Sequence, residues 1–227
     1  MISIVGGGSW GTALAIHLAK NAGAVRLWAR EPEVVEGIRV RRRSPWYLPD
    51  VDIPGGVAAT TDAAEAVNGA SVVVVAVPSE FFAATLKSVG PLSDAVPIVT
   101  ATKGFDPERH VRMSEVVGEQ FPRARVAALS GPTFAREVAL GRPTAAVIAS
   151  RDDGLAATLQ RTLGSREFRL SSPRRRMPPR RSTARRSSSS PCRASSSPRR
   201  SRAWAPSPTR CRSSRRRRAS IPSATCA

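Results

Sequence analysis

No acidic side chain follows Glu167 in this 227-residue chain, no lysine follows Lys103, and no cysteine precedes Cys192. Each absence excludes something. Up to Leu170 the chain holds 19 basic and 17 acidic residues, close to balance, whereas residues 171–227 hold 17 arginines and no acid. The formal net charge of +19 therefore belongs to the last quarter of the chain, and it gives no reason to read the first 170 residues as a nucleic-acid-binding fold. Cys192, Cys211 and Cys226 have neither CxxC spacing nor a neighbouring histidine, which argues against a metal site or a disulfide framework. A cysteine-free front portion fits a cytoplasmic protein. The start, Met1-Ile-Ser-Ile-Val5, lacks the basic n-region of a signal peptide, and no apolar run approaches the roughly 20 residues that cross a bilayer. Both features point to a soluble protein.

The composition also divides the chain into domains. Residues 1–170 suffice for one α/β domain, the usual range being about 100–200 residues. In residues 171–227, Ser, Arg and Pro fill 41 of 57 positions and Ile221 alone represents Leu, Ile, Val and Phe. So little apolar surface cannot offset the entropy of ordering a backbone, and the expectation is a disordered basic tail.

The front portion alternates strand and helix patterns. Residues 2–5, 25–28, a short edge segment near 58, 71–77, 97–102, 125–129 and 145–149 read as strands. Residues 12–22, 32–40, 80–89, 111–121, 132–140 and 152–163 read as helices, the fifth with Pro132 in its first turn and the sixth capped by Ser150 and stopped by Gly164. Phe168-Arg-Leu170 opens one more strand. The β-branched run Val72-Val-Val-Val75 is the pattern of a strand buried on both faces of a parallel sheet. The predicted fold is α/β, a Rossmann-type doubly wound and mostly parallel sheet.

Gly6-Gly-Gly8-Ser-Trp-Gly11 is a G-x-G-x-x-G between the first strand and the first helix. In that place Gly6 permits the tight turn, Gly8 lets the backbone approach a pyrophosphate, and Gly11 allows close helix–strand packing. The second strand ends in Trp28-Ala-Arg30, where NAD-binding chains carry an acid for the ribose hydroxyls. A guanidinium suits a phosphate better, so Arg30 favours NADP over NAD, with the adjacent Glu31 open to a ribose. Ligands of such sheets sit at the carboxyl ends of the strands, where Val77-Pro-Ser79, Thr102-Lys-Gly104 and Ser130-Gly-Pro-Thr-Phe134 fall. Lys103 is one of three lysines and the only one at a strand end. Gly131 and Thr133, read as a helix start, offer N–H groups and a hydroxyl to an anionic substrate group. His17 and His110 have no partner at triad or metal spacing.

Those segments, with Gly6–Ala15, Tyr47-Leu-Pro49, Ser130–Val138 and Gly141-Arg-Pro-Thr-Ala145, closely resemble the N-terminal domain of bacterial NAD(P)-dependent glycerol-3-phosphate dehydrogenase over residues 1–170. The resemblance implies hydride transfer between NAD(P)H and dihydroxyacetone phosphate, giving sn-glycerol 3-phosphate for phospholipid synthesis. It implies cofactor contacts at Ser9, Trp10, Arg30, Tyr47, Lys103 and Ala135, beside Gly6, Gly8 and Gly11, and substrate contacts at Lys103, Gly131 and Thr133. Ser44 stands where the family has Asn, three residues before the Tyr-Leu-Pro.

Family members continue into an all-helical domain whose Lys-Asn motif supplies the proton-transferring lysine, and they form homodimers. That lysine falls near position 188, where this chain reads Ser187-Ser-Ser-Ser190. No catalytic residue is therefore assigned within the chain. The break at Ser171 is what a shifted reading frame in GC-rich coding DNA produces, and it makes the chain a truncated, nearly inactive dehydrogenase. Two rival readings remain open: an NADP-binding domain whose Arg/Ser tail holds nucleic acid without sequence preference, and a different two-domain NADP reductase of the ketopantoate kind.

Overall fold

The structure, a computed structural model, describes residues 1–173. The readings of a disordered tail, of its nucleic-acid contacts and of the three cysteines fall outside these residues. Eight strands form one sheet: β1 (Ile2–Val5), β2 (Val25–Trp28), β3 (Val57–Thr60), β4 (Val72–Val75), β5 (Ile98–Thr100), β6 (Val126–Ser130), β7 (Thr144–Ser150) and β8 (Phe168–Ser171). Seven helices connect them: α1 (Ser9–Asn21), α2 (Pro32–Arg41), α3 (Ala63–Val67), α4 (Ser79–Ser88), α5 (Met113–Gln120), α6 (Ala135–Ala139) and α7 (Asp153–Leu163).

The strand order is β3-β2-β1-β4-β5-β6-β7-β8, and only the β6–β7 pair is antiparallel. The chain reverses its direction of travel across the sheet at β1, which lies between β2 and β4 and pairs with Val25–Trp28 on one side and Val72–Val75 on the other. This is a Rossmann-type sheet, and its switch point is where such folds bind ligands. One apolar layer packs α1, α2, α6 and α7 on the sheet; the other packs α3, α4 and α5. The central strands are buried on both faces, all four residues of β1 and of β4 lying in the interior, which is why β4 reads as an unbroken apolar run and β1 as one interrupted only by Ser3.

Several boundaries depart from the sequence reading. Helix α1 begins at Ser9, three residues earlier than its apolar periodicity shows. Thr61-Asp62 opens α3, with the Asp62 carboxylate accepting from the N–H groups of Ala64 and Glu65 at 2.8 and 3.1 Å. Helix α6 is five residues long and starts at Ala135, after Phe134, so Pro132 lies in the loop and Gly131 and Thr133 are not in the first turn of a helix. The cap of α7 is Asp152, whose side chain accepts from Leu155 N–H at 3.0 Å; Ser150 instead donates its hydroxyl to the Val126 carbonyl at 2.7 Å. Strand β8 runs through Ser171, one residue past the compositional break, and Gly164 ends α7 as expected.

Candidate cofactor cleft

The glycine turn is fixed by its own contacts. Gly6 has φ +130, and a Cβ there would lie 2.5 Å from the Ala76 carbonyl oxygen. A Cβ on Gly11 would lie 1.8 Å from the Gly6 carbonyl oxygen, so neither position accepts a side chain. Gly7, which the motif leaves as any residue, is equally constrained, its added Cβ falling 2.4 Å from that of Ala29 at the end of β2. Gly8 differs: nothing lies within 4 Å of the same point. The turn is tied down by Gly6 N–H donating to the Trp28 carbonyl at 3.1 Å and by the Thr12 hydroxyl donating to the Gly7 carbonyl at 3.1 Å.

Gly8 is the N-cap of α1 in extended conformation. No side chain caps this helix and no acid occupies its first turn. The 13-residue helix thus presents unpaired N–H groups and the positive end of its dipole to an open space beside Gly8, the arrangement that receives a phosphate group.

That space is the floor of a cleft of about 530 Å³, within the range of pockets for drug-sized ligands and cofactors. It lies over the carboxyl ends of β1, β2, β4 and β5, and Gly6, Gly8, Ser9, Trp10, Arg30, Tyr47 and Lys103 all line it. Gly11 sits beneath the turn, where it governs packing. Ala135, Gly131 and Thr133 are not in the lining. Ala135 packs against the larger apolar layer. Gly131 presses against β7, where an added Cβ would lie 2.9 Å from Ala146 Cα. Thr133 is buried, and its carbonyl accepts from Lys103 Nζ at 3.2 Å.

Three supports hold the functional side chains. Trp10 donates its indole N–H to the Ala101 carbonyl at 3.1 Å, and Lys103 Nζ lies 5.9 Å from the centroid of the Trp10 ring. Tyr47 sits in a loop anchored by buried Ser44, whose hydroxyl oxygen accepts from Tyr47 N–H at 3.1 Å. Arg30 stands at the mouth with its side chain 67% exposed, 3.0 Å from the Glu31 carboxylate and 5.4 Å from the Phe81 ring centroid.

Phe81 is a lining residue that sequence reasoning missed. The signal was the pair Phe81-Phe82 in α4: Phe82 is fully buried, so its neighbour on a helix must point elsewhere, and Phe81 remains 44% exposed in the cleft wall. Trp28 was noted only as a strand end, yet it lines the cleft and donates its indole N–H to the Thr61 carbonyl at 2.9 Å. His17 lies outside the cleft, in the core of the α1 layer.

A glycine turn on a bare helix N-terminus, at the switch point of a parallel sheet and under an apolar cleft, defines a dinucleotide-binding Rossmann domain. The nicotinamide-cofactor chemistry of its family follows from comparison with known proteins. The chain belongs to the family described as NAD-dependent glycerol-3-phosphate dehydrogenase N-terminus, whose model matches residues 1–156. It is 46% identical over 169 residues to glycerol-3-phosphate dehydrogenase [NAD(P)+] of Rhodospirillum rubrum, covering 74% of this chain and 48% of that one. With the same enzyme of Azotobacter vinelandii the identity is 43%, over 74% and 50% of the two chains. The crystal structure of glycerol-3-phosphate dehydrogenase from Coxiella burnetii superposes with a TM-score of 0.71 at 32% identity, covering 76% of this chain and 53% of that one. A ketopantoate reductase from Ralstonia eutropha, at 19% identity and TM-score 0.57, shares the fold alone, which favours the dehydrogenase reading over the rival reductase. The chain spans about half the length of the curated relatives it matches. No helix among the described residues is long and apolar enough to cross a membrane, and no cluster of three potential metal ligands occurs among them.

Proposed function

We propose that residues 1–170 are the cofactor-binding domain of an NAD(P)-dependent glycerol-3-phosphate dehydrogenase acting in the cytoplasm, with residues 171–227 standing in place of the helical domain. The observation that carries this reading is the open space at Gly8 facing the uncapped end of α1 inside the cleft. When bound, NAD(P)H would supply the hydride that reduces the ketone of dihydroxyacetone phosphate. The chain's own residues bind and orient. The first-turn N–H groups of Ser9 and Trp10 would receive the pyrophosphate, and Tyr47 would cover the cleft wall. Arg30 favours NADPH because its exposed guanidinium can exchange the Glu31 carboxylate for a second phosphate. Lys103 would meet both cofactor and substrate, with Thr133 holding its ammonium and Gly131 fixing the loop that carries Thr133. Ala135 would act from behind, as packing under the cofactor.

Proton transfer is not provided for. No side chain here is assigned as general acid, and such a group contributes about 10² to 10⁴ in rate. The expected behaviour is cofactor binding without turnover. Titration with NADPH and NADH, followed by an assay with dihydroxyacetone phosphate, tests it. NADPH should bind more tightly, and Arg30→Ala should bring the two cofactors within about threefold, since a charge-assisted contact is worth roughly 1–3 kcal/mol. Equal affinities in the unaltered chain would remove the NADP preference. Turnover near the roughly 1–10³ per second of ordinary enzymes would show that the absent lysine is dispensable.

A further inference from the structure

The cleft lysine is held by an aromatic chain that reaches the last strand of the sheet. Lys103 has a backbone carbonyl on one side, that of Thr133 at 3.2 Å, and the Trp10 ring on the other, at 5.9 Å. The second contact has the distance of a cation–π interaction, but it orients the ammonium only if the indole is itself fixed. Two contacts fix it. The Ala101 carbonyl takes the indole N–H at 3.1 Å, and the Phe168 ring of β8 meets the indole edge-on, with centroids 6.4 Å apart and planes at 67°. Phe168 is 2% exposed and cannot move aside, because its other edge contact is His17, at 5.0 Å and 65°, deep in α1. Trp10 and Phe168 are 158 positions apart, so the contact is a tertiary brace and not a by-product of local structure.

We propose that Phe168 is a positioning residue for Lys103, acting through Trp10. It touches neither the cleft nor the lysine; it determines where the ammonium points by immobilising the ring beneath it. The proposal rests on the reading of Lys103 as the residue that meets cofactor and substrate, but its test does not need that reading to hold.

The chain has only three lysines, so two serve as internal standards. Lys87, on α4, is remote from the aromatic chain, and Lys20, on α1 and three residues beyond His17, has a partner of its own in the Ala139 carbonyl at 3.4 Å and no contact with Trp10 or Lys103. The full chain is acylated with a low dose of acetic anhydride, and the modification rate of each lysine is followed by mass spectrometry in the unaltered protein, Trp10→Leu, Phe168→Leu and the double variant. Loss of the hold on Lys103 should raise its rate about two- to fivefold in each single variant, the factor equivalent to an exposed cation–π contact. Lys20 and Lys87 should keep their rates. The double variant should match Trp10→Leu alone, because Phe168 has no route to Lys103 other than the indole. An unchanged Lys103 rate in Phe168→Leu overturns the proposal. So does multiplication of the two effects in the double variant, which would mean an independent route. Parallel acceleration of all three lysines overturns it as well, since Phe168 would then support the whole fold without aiming Lys103. Because labelling requires neither cofactor nor turnover, a failure here is distinct from a failure of the cofactor titration.

Discussion

Ser3 is the single buried side chain among the described residues whose polar atom finds no hydrogen-bond partner. It sits in β1 between Arg26 of β2 and Val73 of β4, fully enclosed. An unsatisfied buried hydroxyl costs about 1–3 kcal/mol, so Ser3→Ala should raise stability by about 1 kcal/mol in guanidinium unfolding, with cofactor affinity unchanged. A drop in stability would mean that the hydroxyl is satisfied after all. His17 shows the opposite state of affairs. Its Nε2 faces the Leu163 carbonyl at 3.0 Å, and because a carbonyl can only accept, Nε2 carries the proton. Nδ1 is left as an acceptor towards Asn21 Nδ2 at 3.4 Å. The sequence offered only the absence of a catalytic partner for this histidine. Apart from Asn21, one turn along α1, its partners lie 146 and 151 positions away, at Leu163 and Phe168, beyond the reach of any local pattern.

The β1–α1 turn separates two uses of glycine that a motif string cannot tell apart. Gly11→Ala would drive a methyl into the Gly6 carbonyl, whereas Gly8→Ala meets open space at a φ of −67 that alanine accepts. Thermal or denaturant unfolding should therefore show Gly11→Ala destabilised by about 3 kcal/mol or failing to fold, the upper range for overpacking. Gly8→Ala should stay within about 0.5 kcal/mol of the unaltered chain while losing NADPH affinity at least about tenfold. If Gly8→Ala binds normally, the cofactor does not approach the backbone there. Elements with a strong period were legible in the residue pattern alone: β1, β2, β4 and α4 fall within a residue or two of their expected places. The place of β7 was legible as well, but its antiparallel direction was not, because direction is a property of the connection, and the 13 residues between β6 and β7 contain only the five-residue helix α6. Pro132 misled for the same reason, its fixed φ serving a loop as well as a first helical turn. In the cleft, the turn, Arg30 and Lys103 were readable from residue type at strand ends, and Tyr47 only from the family resemblance. The pairing of Arg30 with Phe81 was not, since nothing in either segment announces the other.

Across the molecule the shifted histidine and carboxylates pull in one direction. Burial first, aided by the Lys20 charge and opposed by the Leu163 hydrogen bond and the Glu167 charge, lowers the His17 pKa below 6.5. Asp106, Asp152 and Glu167 are lowered by hydrogen bonds from Arg109 N–H, the Arg125 side chain and the Glu167 main chain respectively, and Glu115 is lowered to about 2, chiefly by the Arg112 side chain. In each case the unfolded chain binds more protons than the folded one between the two pKa values, so stability rises with pH. Denaturant midpoints should decline gently as pH falls below 6.5, from His17, and more steeply below about 4.5, as the carboxylates protonate towards about pH 2. His17→Gln should flatten the upper step and leave the lower one. A midpoint that rises on acidification would contradict both assignments. The brace between Trp10 and Phe168 also has a consequence in time. A ribosome adds about 5–20 residues per second, so roughly 8–30 s separate the emergence of the indole from that of the ring that steadies it. Through that interval the glycine turn and its helix are outside the tunnel, joined by Lys103 before Phe168 appears, while α1 still lacks the layer formed by α6, α7 and β8. The apolar flank of the first helix is thus the surface that a nascent-chain chaperone meets first and longest, and release from it must await the last strand.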